Sequence, residues 1–372
     1  DGVLGTSDDG GLLRLSTVAG GSTLISGGAV KAAVQTYGDS VSLGSNTTLS
    51  GATFRFDDTL NSAGGAPTLT LKNTGTATFN GAVGNSTLGA LITASTGSTV
   101  IRTSSLKATT QTYNNPVLIG NDTKLTGTTV TFNSTIDGAS ASEQETLTIN
   151  ANTTVLNAAA AVGRTRALKA FTTDASGTTT IANGKLNAAT IQFNDKLILA
   201  ANTTLSGSTI ALKAVEGDAT SNNRTLTINA NLLTTLGGKI GESGVLAKFT
   251  TDPGGDTRLS GNLVNATEQS YRDHVIVWGS TTLKADSNGA GSVRFSQGID
   301  GVNVASGVLI VNATTSLFGG PIGATARLGS LTTDSAGIST FGGSVAATAL
   351  TFNDPVRISA DSTFTGNTVK FN

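Results

Sequence analysis

The chemistry open to a chain is limited first by the side chains it owns. This one has a single histidine, His274, in the run Tyr271-Arg272-Asp273-His274-Val275, a single tryptophan, Trp278, and neither cysteine nor methionine. Triads and histidine metal sites draw on several partners, so a lone histidine in a turn reads as a solvated side chain. The absence of cysteine removes thiolate nucleophiles, zinc–thiolate sites and disulfide staples together. Other charges are scattered, as in Asp57-Asp58, Glu143 with Glu145, and Arg164 with Arg166. A polysaccharide lyase or hydrolase needs acids and bases converging on one groove, and Arg272, Asp273 and His274 are the residues such an activity would use. Sugar binding without turnover would draw on Trp278 or Tyr271. With no convergent cluster in view, no catalytic, cofactor-binding or metal-ligating set is expected.

Several polar residues recur at fixed intervals. Asn46, Asp122, Asn202, Ser280 and Asp361 each stand three residues before a marker Leu or Phe. Asn, Asp and Ser close their own backbone through local hydrogen bonds, so these read as turns between strands. Thr172-Thr173-Asp174, Thr250-Thr251-Asp252 and Thr332-Thr333-Asp334 also recur, one carboxylate per unit, too far apart for a paired acid and base. Asn-x-Thr and Asn-x-Ser triplets, as at Asn46, Asn152 and Asn265, have the form of glycan acceptors in a eukaryotic secreted protein, but a chain of Asn turns and Thr strands produces them without that role. Thr-x-Thr pairs such as Thr146/Thr148 and Thr178/Thr180 would rank hydroxyls on one sheet face, as in ice-binding solenoids. They sit at several places in the unit and alternate with Ala, Lys and Ser, which argues against one continuous face.

The elements that carry these residues are organised by internal repetition, the first thing to seek in a long chain. Gln35-Thr36-Tyr37 returns as Gln111-Thr112-Tyr113, Ile191-Gln192-Phe193, Gln269-Ser270-Tyr271 and Leu350-Thr351-Phe352. The aromatic markers Tyr37, Tyr113, Phe193, Tyr271 and Phe352 therefore recur at an almost constant interval. Twelve residues after each comes Leu49, Leu125, Leu205, Leu283 or Phe364, and both sets read as the structural core of the repeat. Strand-like triplets (Leu69-Thr70-Leu71, Leu147-Thr148-Ile149, Leu226-Thr227-Ile228, Leu309-Ile310-Val311) and turn pairs (Val83-Gly84, Val162-Gly163, Ile240-Gly241, Ile322-Gly323) keep the same phase. Together they define about four and a half copies of a super-repeat of about 79 residues. Its boundaries fall near 1–34, 35–110, 111–190, 191–268, 269–349 and 350–372. One departure lies between Leu283 and Phe295, where positions 284–291 lengthen a loop.

Within a unit, short alternating runs rich in Thr, Val, Ile and Phe are broken by Gly, Asn, Asp and Ser, a strand-and-turn pattern of period two. No stretch keeps a helical period for three turns. About four rungs of about 20 residues would fit one unit, each supplying short strands to long parallel sheets. The expected fold is all-β, a parallel β-helix (β-solenoid) continuous over residues 1–372. A string of sandwich domains is the rival, opposed by the scarcity of Pro, Trp and Tyr and by strands of three to five residues. Composition agrees with a folded, non-average chain: 47 Gly, Thr as the commonest residue, only 13% charged residues and a formal charge of -1. Neutrality argues against nucleic acid as a partner, and no apolar run approaches a membrane helix. Without methionine, Asp1 reads as a processed end or an interior cut.

Gln111 to Val117 (Gln-Thr-Tyr-Asn-Asn-Pro-Val), Leu125 to Asn133 and Leu147 to Asn150 resemble the β-strand repeats of very large bacterial exoproteins. These are the filamentous-haemagglutinin-like and autotransporter-passenger adhesins. The resemblance spans essentially the whole chain. It implies a right-handed β-helix exported to the bacterial cell surface as a non-catalytic shaft for adhesion or biofilm. Its partners would be neighbouring repeats, further copies stacking end to end on open rung edges, and surface glycans or matrix; it implies no cofactor.

Overall fold

The computed structural model describes the backbone of residues 3–4 and residues 12–140, 145–218, 224–285 and 290–372. Glu143 and Asp286-Ser287-Asn288-Gly289, the centre of the lengthened loop, lie outside the described residues. Two compact units divide the chain, Asp1–Ala188 and Ala189–Asn372.

In both units the regular structure among the described residues is all β, and the strands pair in parallel, each with the strand one rung further along the chain. This is a parallel β-solenoid. The alternation that marked the strands becomes an inside and an outside. In Thr146–Leu156 the residues Leu147, Ile149 and Ala151 are buried, and their neighbours Thr146, Thr148 and Asn150 are partly exposed. The phase slips at Asn152 and Thr153, two exposed residues where the chain turns a corner, and resumes with Thr154 and Leu156 inward.

The register shows how the sequence period relates to the rungs. In the first unit Tyr37 lies beside Phe56, Phe56 beside Phe79, Phe79 beside Ile101, and Ile101 beside Ile119. Each step is one rung. Tyr113, the sequence counterpart of Tyr37, is absent from this column and stands in another, followed by Phe132, Leu156 and Ile181. One rung passes three strand arms, as from Tyr37 through Ser40–Leu43 and Thr47–Gly51 to Thr53–Phe56. From Tyr37 to Tyr113 there are eleven such arms, counting two each in Val83–Thr93 and Ser105–Tyr113. A super-repeat is thus three and two-thirds rungs, not the four its length suggests. The second unit behaves alike: Tyr271, Phe295, Phe318, Phe341 and Ile358 share a column, and Phe352 stands in another beside Phe371. A side chain carried once per super-repeat is therefore turned onto a different face each time.

The core is the stack of inward side chains. Tyr37, Phe56 and Phe79 stack with ring centroids 5.2 Å apart, and Tyr271, Phe295, Phe318 and Phe341 at 5.0, 5.4 and 4.7 Å. Each such burial contributes about 1.5–3 kcal/mol, and the offset rings add to it. Tyr113, Phe193, Phe352, Leu49, Leu125, Leu205 and Leu283 are all buried. Phe364 is only half-buried, packed edge-on against Phe341, Phe352 and Phe371.

Candidate functional site: the corner after the aromatic marker

Three of the five markers are tyrosines, and each hydroxyl finds the same partner. Tyr37, Tyr113 and Tyr271 donate to Oε1 of Gln35, Gln111 and Gln269, at 2.9, 2.9 and 3.0 Å. The glutamine Nε2 then donates to the carbonyl of Ser50, Thr126 or Lys284 on the next rung. Where the glutamine is replaced by Ile191 or Leu350, the tyrosine is replaced by Phe193 or Phe352. The pair changes together because either half left alone is a buried orphan. Burial raises the tyrosine pKa values far above the ordinary phenol range.

Two residues beyond each marker sits an Asp or Asn: Asp39, Asn115, Asp195, Asp273 and Asp354, all buried. Asn115 Oδ1 accepts from the hydroxyls of Thr93 and Thr99, both at 2.9 Å. Asp273 accepts from Thr251 and Thr257, both at 2.6 Å, and Asp354 from Thr333 and Ser339 at 2.5 and 2.8 Å. Asp39 accepts from Thr17 and Thr23. The first hydroxyl of each set also accepts the backbone N–H just before the Asp or Asn, from Gly38, Asn114, Arg272 or Asn353. This clasp ties successive rungs at the corner. Its proton affinity differs from copy to copy: burial pushes Asp273 up to about 6 against the pull of its two threonines, and the Thr17 hydroxyl outweighs desolvation to hold Asp39 low.

A second recurring device lies at the Val-Gly and Ile-Gly pairs. Gly163, Gly241 and Gly323 have φ of 64°, 69° and 71°, and a Cβ there would stand 2.0, 2.2 or 2.1 Å from the carbonyl oxygens of Asn187, Asn265 and Ala346. Glycine is required on both counts. The turn that follows folds its amides onto a carboxylate one rung earlier. Thr165 and Arg166 donate to Asp137, Ser243 and Gly244 to Glu216, and Thr325 and Ala326 to Asp300, at 2.7–3.1 Å. In the first copy Ser86 donates to Asn61 at 3.1 Å. Neither device was anticipated from the sequence, although the residues keep the repeat phase.

The anticipated turn residues act over a longer range than expected. Asn46, Asp122 and Asn202 lie outside the strands and accept the backbone N–H of Thr68, Thr146 and Thr225, at 2.8, 2.8 and 3.0 Å. They cap the first residue of a strand one rung on rather than their own turn. Ser280 departs from the set: it opens the strand Ser280–Lys284. The turn ends one residue sooner, and the Gly279 carbonyl takes the corresponding amide of Val308 at 2.8 Å. Asp361 is exposed between strands Val356–Ile358 and Phe364–Thr365. Asp174 and Asp252, expected as turn residues, accept the amides of Ala151 and Ala230. In one column of the first unit Thr110, Thr129, Thr153 and Thr178 form a rank, but the rank beside it runs Thr112, Thr131, Val155 and Thr180, and Thr146 lies elsewhere beside Ala170.

The candidate catalytic trio separates. Arg272 is exposed, Asp273 is turned into the core, and His274 faces outward at the start of His274–Val277. His274 is not simply solvated: Nδ1 lies 3.0 Å from Asp256 Oδ1 and Nε2 lies 3.0 Å from Asp300 Oδ2. Burial works against its charge, yet hydrogen bonds to Asp300 and Asp256 and their charges raise its pKa above 6.5. Trp278 is 48% exposed, with the Arg258 guanidinium 4.4 Å over its ring. Tyr271 is buried and cannot meet a sugar. Among the described residues no three His, Asp or Glu side chains are grouped to hold a metal ion, and no helix is long and apolar enough to cross a membrane. Comparison with known protein families, characterised proteins and solved structures finds no match.

Proposed function

We propose that the chain is a structural, non-catalytic stretch of β-solenoid that serves as the shaft of an extracellular bacterial adhesin or surface fibre, holding a tip or matrix away from the cell. The observation that carries this reading is where the recurring polar side chains point. The Gln–Tyr pairs, the clasps and the amide-capping carboxylates form hydrogen bonds from rung to rung, so residues that would otherwise be candidates for chemistry are engaged in stacking. A unit of three and two-thirds rungs also turns its copies onto successive faces, which suits a spacer better than a platform that must present one site repeatedly. Exposed strand edges of such a fold pair with more chain or with another copy, and end-to-end assembly belongs to the same proposal.

The test is antibody labelling of intact source cells with serum raised against the purified chain. Surface label that external protease removes is the expected result. Label that appears only after permeabilisation would overturn the reading. The exposed Trp278, with Arg258 over its ring, favours one second reading, a carbohydrate-binding module. That reading requires glycan-array binding that Trp278→Ala abolishes.

A further inference from the structure

His274 sits on the middle one of three consecutive strands in the second unit. On one side Asp256, in Asp256–Leu259, is its direct register partner. On the other, Ile299–Gly301 brings Asp300 beside Ile276, one place along the same face. Both ring nitrogens stand 3.0 Å from carboxylate oxygens, on opposite edges of the ring. A neutral imidazole carries one N–H, so one of these contacts would set a lone pair against an acceptor. Only the imidazolium satisfies both.

The linkage continues past the ring. Asp300 meets His274 through Oδ2, and its Oδ1 accepts the amides of Thr325 and Ala326, both at 2.9 Å, in the turn after Ile322-Gly323. Ile322 bridges to Ile299, one rung further on. A single chain of contacts therefore joins four successive rungs, and its only weak link is one proton. No other copy of the corner repeats it, because Ser40, Pro116, Lys196 and Pro355 occupy the place of His274.

We propose that His274 is a proton-operated clasp, which locks four rungs of the second unit together when the ring is doubly protonated and lets the corner open locally when a proton leaves. The charged groups around it are Asp256 and Arg258 on the preceding strand, Asp300 on the following one, Arg327 in the turn beyond, and Arg272 and Asp273 on its own segment. Arg258 lies over Trp278 and Asp273 points into the core, which leaves Asp256 and Asp300 as the carboxylates that face the ring. Both favour the charged form and raise its pKa. The sign follows by linkage: a histidine whose folded pKa is raised contributes fully below 6.5 and loses that contribution as pH rises through the folded value. The corner is thus tightest in mildly acidic surroundings.

The single histidine makes the test direct. In the full chain labelled with 15N-histidine, every imidazole signal belongs to His274. The expected result is a titration midpoint above 6.5 with both nitrogens protonated below it. Amide exchange at Thr325 and Ala326, corrected for its intrinsic pH dependence, is expected to quicken as pH rises through that midpoint, by about tenfold for each unit of upward shift. Exchange around Asn115 should not change. Asp256→Asn, which leaves the Asp300 turn intact, should lower the midpoint. A midpoint at or below 6.5, or protection at Thr325 and Ala326 that ignores the titration, would overturn the proposal.

Discussion

At Tyr113 the next two residues are Asn114 and Asn115; at Tyr271 they are Arg272 and Asp273. The two corners otherwise use the same parts: a tyrosine donating to a glutamine two residues earlier, and a buried Asp or Asn receiving two threonine hydroxyls from positions 22 and 16 residues back. Around Asn115 all of this is neutral, and the spare Nδ2 donates to the Thr96 carbonyl. Around Asp273 one acid is held well above its ordinary value, and the next residue is a histidine held above its own. The lesson is that rung stacking needs the geometry of the clasp and accepts either an amide or a carboxyl there, at a cost in stability that depends on pH where the carboxyl is buried.

Removing what the corners share should have the largest effect and should not distinguish them. Tyr113→Ala and Tyr271→Ala each open a cavity in a close-packed stack and should cost about 3–5 kcal/mol, seen as earlier chemical unfolding of the unit concerned. Changing what separates them comes next. Asp273 has its pKa raised from 3.8 to about 6, so its penalty is absent below 3.8, grows as pH rises, and is complete above about 6. Asp273→Asn should therefore stabilise the second unit by up to about 3 kcal/mol at pH 7 to 8, and the gain should vanish near pH 4. Thermal unfolding across that range checks it, with Asn115→Asp expected to impose the same pH dependence on the first unit.

Much of this fold is legible in the residues, and the reasons are local. Period-two runs such as Leu147-Thr148-Ile149 state which face is buried, and the aromatic spacing marks the repeat. The mismatch between repeat and rung is not legible, since it depends on how many arms close one turn, and the repeat length divides almost evenly into four. The clasp is hidden because its hydroxyls, on Thr93 and Thr99 for Asn115, stand on the preceding rung, beyond any local pattern. Asn46, Asp122 and Asn202 stand out in the sequence, but the amides they serve do not, for the same reason. His274 looks solvated in the sequence because its two carboxylates arrive from strands 18 and 26 residues away.

Smaller effects sharpen the comparison. Tyr271→Phe leaves Gln269 Oε1 without its donor in the core and should cost about 1–2 kcal/mol. Adding Gln269→Leu recreates the Leu350/Phe352 pairing and should recover part of that loss, which a double-mutant cycle in denaturant measures. Least of all, Asn133→Ala interrupts the chain of amides from Asn157 through Asn133 to Asn114 at the first corner. It should cost about 1 kcal/mol and leave the second unit unchanged.

If the super-repeat is an interchangeable spacer, one whole copy can be lost without loss of the fold. Deleting residues 35–110 joins Val34 to Gln111 in phase and removes eleven strand arms. Circular dichroism of the shortened chain is predicted to keep the β spectrum and a cooperative thermal transition within a few degrees of the parent. A shortened chain without that spectrum, or without a transition, would contradict the account.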